Sequence, residues 1–351
     1  MYNRSNHRIN YLKYIRRGSI QTKTSPFYFA YGRTALAFGL KTYAILPNKK
    51  ILAPEYICEA ALQPFRNNGI QIQYYKVNDD LSPDWRSINE KINKDTFAIL
   101  MVHYFGNPQK IEDFKKKSEQ NGILLIEDNS HGYGGMYSGK LLGTFGDIGI
   151  SSPRKSFPVL NGGVLYLNSN QNIHTNSLPV EPANITILTL RDITGRFLDN
   201  FAAIKKFLLH TVDKGVQWNS NVKNWGMDFA SLDIIKKYDL KHIQKIRTEI
   251  YRTWEKWSIA NNLTPLYSQI NESLTPLAFP LIFITKTERD RWYAIFKKNN
   301  IAAYLWPDLP AELLATKNSG KSLSERTLCL PIHLSMNARS LEKLLSNIFL
   351  F

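Results

Sequence analysis

The sequence predicts an α/β protein, a mostly parallel sheet sandwiched by helices and followed by a smaller α+β domain at the carboxyl end. From about residue 28 to 167, short apolar segments alternate with longer helical stretches across polar turns, which is the rhythm of βα units. The apolar segments are continuous rather than alternating, as expected of strands covered on both faces. Toward the end of the chain this rhythm gives way to a long helical stretch, one further strand and one further helix. A length of 351 residues suits two domains at roughly 100 to 200 residues each. We place them at residues 1–239 and 240–351.

Lys50 to Ala53 reads as a strand, Glu55 to Asn68 as a helix and Ile70 to Val77 as the next strand. A turn at Asn78 to Pro83 leads to a helix over Trp85 to Ile92 and then the apolar run Phe97 to His103. Lys110 to Gln120 is a helix with basic outer positions, and Ile123 to Glu127 is a short buried strand. Ligands of such a sheet bind at the carboxyl ends of its strands. Beyond residue 168 the pattern loosens, until Leu198, Phe201, Ala202, Leu208, Leu209 and Val212 recur at helical spacing opposite Lys205, Lys206 and His210. A basic amphipathic helix of this kind fits an ordinary packed helix with a solvated face, and also weak peripheral contact with a membrane. Asp233 to Trp257 is a second helical stretch, Leu277 to Ile284 resumes strand character and Glu288 to Asn299 is a helix.

Charge and composition narrow the classes. The 45 Lys and Arg against 29 Asp and Glu leave a net charge of +16, which favours acidic partners such as phosphates. With 43% hydrophobic and 21% charged residues the chain is neither disordered, collagen-like nor a coiled coil. Cys58 and Cys329 are too few for a disulfide framework or a metal cluster. With no signal-peptide pattern in Met1 to Arg17 and no long apolar run, a cytoplasmic protein is expected. No nucleic-acid motif accompanies the charge.

The stretch from Ile123 to Asn168 carries the chemistry. A buried strand ends in Glu127-Asp128, and a later polar turn holds Arg154-Lys155 ahead of Gly162-Gly163. A carboxylate at the end of a buried strand is costly unless it meets a cation or a donor. An acid and a lysine facing one pocket are what pyridoxal phosphate requires, the lysine for covalent attachment and the acid to keep the ring nitrogen protonated. On these residues alone, Asp128 also fits a helix cap and Lys155 a surface lysine.

Further motifs are Gly32-Arg33-Thr34-Ala35-Leu36, Val102-His103-Tyr104-Phe105-Gly106, Glu127-Asp128 with His131 three positions on, Pro153 with Lys155 and Gly162-Gly163, and Asn224-Trp225-Gly226-Met227. In this order and spacing they resemble the DegT/StrS sugar-nucleotide aminotransferases, pyridoxal-phosphate enzymes of fold type I. The resemblance runs from about Tyr31 to Met227. It implies Lys155 as the Schiff-base lysine, Asp128 on the pyridine nitrogen and His131 near the ring's phenolic oxygen. It further implies that Thr34 and the amide of Arg33, with Ser151 or Ser152, bind the cofactor phosphate, and that Asn224 reaches the phosphate of a neighbouring subunit in a homodimer. The amide site agrees with the anion affinity of a helix amino terminus.

The chain departs from the family pattern in places. Cys58 stands where an aromatic residue stacks on the cofactor ring, with Tyr56 two positions earlier, and both are assigned to the cofactor site. Asn161 replaces the glutamate before the double glycine, Ile150 a serine, and Gly226 an arginine. The expected reaction moves an amino group, from glutamate, onto a keto-sugar nucleotide for polysaccharide or glycoconjugate synthesis. Rival readings are a pyridoxal-phosphate sugar dehydratase, which has histidine in place of the lysine, and a non-catalytic, basic membrane-associated protein of the same fold.

Overall fold

A computed structural model describes residues 26–46, 48–157, 159–168, 225–334 and 336–348. The short strand β1 (Phe27–Phe29) runs into α1 (Gly32–Lys41), which β2 (Lys50–Pro54) follows. Then come α2 (Glu59–Asn67), β3 (Gln71–Tyr75), α3 (Trp85–Lys91), β4 (Thr96–Val102), α4 (Ile111–Asn121) and β5 (Leu124–Asn129). A small hairpin, β6 (Met136–Tyr137) and β7 (Lys140–Leu141), precedes β8 (Ile148–Ser151) and β9 (Gly163–Leu167). The seven-stranded sheet has the order β1-β9-β8-β5-β4-β2-β3. Neighbours from β8 to β3 pair in parallel, while β9 is antiparallel to both β8 and β1.

The expected sandwich is present. Ile99, Leu100 and Met101 on β4 and Leu125 and Ile126 on β5 are at most 2% exposed, so both faces of the sheet are covered. Burying each such side chain contributes about 1.5–3 kcal/mol. Helix starts follow local capping: Asp84 accepts from the Ser87 amide at α3, and α4 stops at Gly122, whose φ of 60° is readily adopted only by glycine.

Tertiary contacts move two boundaries. The helix expected from Glu55 starts only at Glu59, because Glu55 leaves the helical path. Its amide donates to the Tyr75 carbonyl, and its carboxylate accepts from the amide and hydroxyl of Ser319. The helix expected over Asp233 to Trp257 is two, α5 (Phe229–Lys237) and α6 (Leu240–Ala260). Tyr238 is extended between them, and Asp239 caps the second through the Lys241 amide. The stretch around 198–212 lies outside the described residues.

The carboxyl-terminal part adds an antiparallel sheet of β10 (Thr264–Pro265), β11 (Ala278–Ile282) and β12 (Thr327–Pro331). Packed with it are α7 (Lys286–Lys298), α8 (Ala311–Leu314), α9 (Ser319–Arg326) and α10 (Ala338–Leu345). Helix α6 seats Tyr251 edge-on to Phe279 and donates from Trp254 Nε1 to the Pro331 carbonyl. Among the described residues no helix is long and apolar enough to cross a membrane.

Candidate active site

The parallel strands end at a cavity of about 410 Å³. At its floor β5 lies between β4 and β8, with Asp128 level with Val102 on one side and Ile150 on the other. Strand alternation sends Asp128 to the cavity and Glu127 to the opposite face. Asp128 is 7% exposed, and its Oδ1 accepts from the Ser130 amide at 2.8 Å.

Glu127, fully buried, does a different job. Burial alone pushes its pKa up, but the bond from His103 and the amides of Gly143 and Gly146 overcome this and hold it below the usual carboxylate value. His103 Nδ1 accepts from the Gln109 amide, so the neutral ring carries its proton on Nε2 and donates that to Glu127 Oε1 at 2.8 Å. The loop before β8 is thereby tied to the strand that carries Asp128.

Lys155 sits in a single 3₁₀ turn, Pro153–Lys155, immediately after β8. Solvent reaches its side chain through the cavity, yet protein encloses the site. That enclosure lowers the amine's pKa, with Cys58 and Asp128 opposing the shift and Arg154 adding to it. A lower pKa means a larger neutral, nucleophilic fraction at neutral pH.

His131 Nδ1 accepts from the Phe105 amide at 3.2 Å, so the neutral imidazole carries its proton on Nε2. Burial first, and Lys155 second, keep its pKa well below the usual histidine value. At neutral pH it is an uncharged donor. The Trp306 ring stands edge-on to it at 4.8 Å.

At the amino end of α1, Tyr31 provides no side-chain cap and the first turn holds no acid, so the leading amides face no competing carboxylate on their own helix. The guanidinium groups of Arg33 and Arg154 lie 5.0 and 5.4 Å from the Tyr31 ring centre. All three residues line the cavity. The double glycine has a steric reason, since a Cβ on Gly163 would lie 2.2 Å from the Tyr31 carbonyl.

Arg33, Cys58, Asp128, His131, Ser152 and Lys155 line this one cavity. Three other assigned residues do not. Tyr56 is fully buried, donates to the Trp306 carbonyl at 2.7 Å and packs its ring against Tyr104 and Trp306, so it supports the wall instead of facing the cavity. Ser151 belongs to the face of β8 opposite Ile150 and Ser152, and its hydroxyl lies 3.3 Å from Asn129 Nδ2. Thr34 is buried on α1 and is not part of the lining. Asn224 lies outside the described residues, although the following Trp225 accepts from the Ala30 amide and Gly226 bridges to Phe29, next to α1. Trp306 and Asp308 line the cavity from the carboxyl-terminal part without belonging to any motif. Trp306-Pro307 was their one visible signal, an aromatic beside a loop-forming proline.

An acid, a lysine and a neutral histidine donor meet at the carboxyl ends of a seven-stranded, mostly parallel sheet. A putative sugar aminotransferase from Streptococcus pneumoniae superposes with a TM-score of 0.68 at 14% identity, over 97% of this chain and 95% of its own. Helicobacter pylori PseC, an aminotransferase involved in pseudaminic acid biosynthesis, does so at 0.67 and 17% identity, over 93% and 86%. Residues 28–177 match the model of the DegT/DnrJ/EryC1/StrS aminotransferase family.

The dTDP-4-amino-4,6-dideoxy-D-glucose transaminase of Escherichia coli is 25% identical over 79% of this chain and 72% of its own length. GDP-perosamine synthase of Vibrio cholerae is 26% identical over 40% of this chain and 39% of its own. The match to this synthase and to two similar relatives spans only 37–39% of their length.

Proposed function

We propose that this chain is a pyridoxal-phosphate aminotransferase that moves an amino group from glutamate onto a keto-sugar carried by a nucleoside diphosphate. The observation that carries the reading is the convergence of Asp128, His131 and Lys155 on one cavity at the strand ends. The donor set fits the cofactor: a carboxylate for the ring nitrogen, a neutral imidazole Nε2–H for an oxygen on the ring, a lysine for its aldehyde, and the leading amides of α1 for its phosphate. When bound, the cofactor supplies an electron sink for the reacting carbon.

The chain's own residues do the rest. Lys155 Nζ, whose neutral fraction grows because its enclosure lowers its pKa, takes the proton from the amino donor's α-carbon and returns it to the product side. Asp128 holds the proton on the ring nitrogen. His131 fixes the ring oxygen without adding charge. Arg33 and Arg154, stacked at Tyr31, give the cavity a cationic wall that suits a phosphorylated substrate. Lys155 also separates this reading from a dehydratase, in which histidine replaces that lysine.

Purified protein loaded with pyridoxal phosphate and given glutamate should form 2-oxoglutarate when a keto-sugar nucleotide is added. The reading fails if a panel of such nucleotides is inert while an acceptor lacking the nucleotide turns over.

The two-part division at 239/240 is supported by the helix break at Tyr238–Asp239. We also propose a cytoplasmic homodimer. The two cysteines are unpaired, which suits a reducing compartment, and the segment Trp225–Gly226, next in sequence to Asn224, pairs with Phe29 and Ala30 just before α1. Active protein sedimenting as a monomer would overturn the dimer.

A further inference from the structure

Arg247, in the middle of α6, is 2% exposed and has no acidic partner among the described residues. Its Nη1 donates to the carbonyls of Pro276 at 2.8 Å and Ile332 at 3.1 Å, and its Nη2 to the carbonyl of Ser156 at 3.0 Å. Those carbonyls belong to three separate stretches: the residue after Lys155, the lead into β11 and the exit from β12. A buried guanidinium without a counter-charge is expensive, and only its fork of donors makes three such bonds together. Burial pushes its pKa down to about 10, so it remains a cation at neutral pH.

We infer that Arg247 is a positioning residue: through the Ser156 carbonyl it locks the turn that carries Lys155 to the carboxyl-terminal sheet, and so sets where the Lys155 amine sits in the cavity. This rests on Lys155 being the reactive lysine. The turn spans only Pro153–Lys155, and beside the ring packing of Phe157 against Tyr133 and Tyr238 the Arg247 bond to the Ser156 carbonyl ties it to the carboxyl-terminal sheet. Neither the family motifs nor the cavity lining includes Arg247. It works one shell away, on the backbone.

The environment of Lys155 provides a readout that a merely structural residue would not move. Besides burial, the groups that act on it are Cys58, Asp128 and Arg154, and Lys155 in turn acts on His131. Releasing the Ser156 carbonyl lets the turn relax toward solvent. Desolvation, the largest cause of the lowered pKa, then weakens and the midpoint rises.

The experiment is reductive labelling of Lys155 by pyridoxal phosphate and borohydride as a function of pH, in the wild type and in Arg247→Met and Arg247→Lys. Arg289→Met serves as a control. Arg289 is likewise buried at 4% exposure, but it pairs with Asp290 and the Ser324 carbonyl instead of the turn. The Arg247→Met midpoint should rise by about one pH unit, a tenfold loss of neutral amine below the midpoint. Arg247→Lys, which keeps the charge but not the fork, should fall between Arg247→Met and the wild type, and Arg289→Met should leave the midpoint unmoved. If Arg247→Met does not fold, Arg247→Lys carries the test alone. Unchanged midpoints in the Arg247 variants, or an equal rise in Arg289→Met, overturn the inference. If wild-type label is absent from Lys155, the functional reading itself is wrong.

Discussion

Lys155→Ala is expected to abolish both turnover and the reductively labelled active-site peptide while the protein still folds. The side chain makes no hydrogen bond among the described residues, so alanine leaves no buried partner orphaned. Lys155 has its pKa lowered in the fold, so its ammonium form opposes folding. That penalty is absent above the ordinary lysine value of 10.5, grows as pH falls from there, and is complete below the folded pKa. At neutral pH the variant should therefore melt no lower than the wild type. Peptide mapping after borohydride reduction decides the assignment. Lys140, on β7 with its ammonium 5.4 Å from the Phe145 ring centre, is outside the cavity lining, and label there would refute the site.

Asp128→Asn should reduce transamination by roughly a factor of 10³, several kcal/mol at about 1.4 kcal/mol per tenfold. An amide at this position can still accept from the Ser130 amide, so the strand end should keep its shape. What disappears is the negative charge that holds a proton on the ring nitrogen. The same substitution should lower the pH midpoint for labelling Lys155, because Asp128 favours the ammonium form and its loss removes that support. This shift is opposite in sign to the one expected for Arg247→Met. Near-normal turnover in Asp128→Asn, or a midpoint that rises, would show that the carboxylate does not face the cofactor and the lysine together.

The βα rhythm was legible because parallel strands buried on both faces need continuous apolar runs, and β4 and β5 fall where Phe97 to His103 and Ile123 to Glu127 place them, within one or two residues. That Asp128 and Lys155 would reach one cavity was legible because each has a fixed local position, at the end of a strand and in the turn after another. Ser151 against Ser152 was not. Adjacent residues at a strand end differ in the face they present, and the strand's register decides it: Ile150 and Ser152 share the cavity, and Ser151 turns away. Tyr56 stands in the wall because its hydroxyl is captured by the Trp306 carbonyl, 250 residues later, and no local pattern encodes that contact.

The sequence by itself determined the layers, the order of the motifs and the placing of an acid and a lysine at the strand ends, since each follows from local burial period and side-chain type. The tertiary structure alone decided which nitrogen of His131 carries its proton, that Trp306 walls the cavity, and that Arg247 gathers the carbonyls of Ser156, Pro276 and Ile332. In each case the deciding partner is a backbone group or ring brought close only by folding. Backbone amides and carbonyls are the same at every residue, so the sequence carries no mark of which of them a distant side chain will meet.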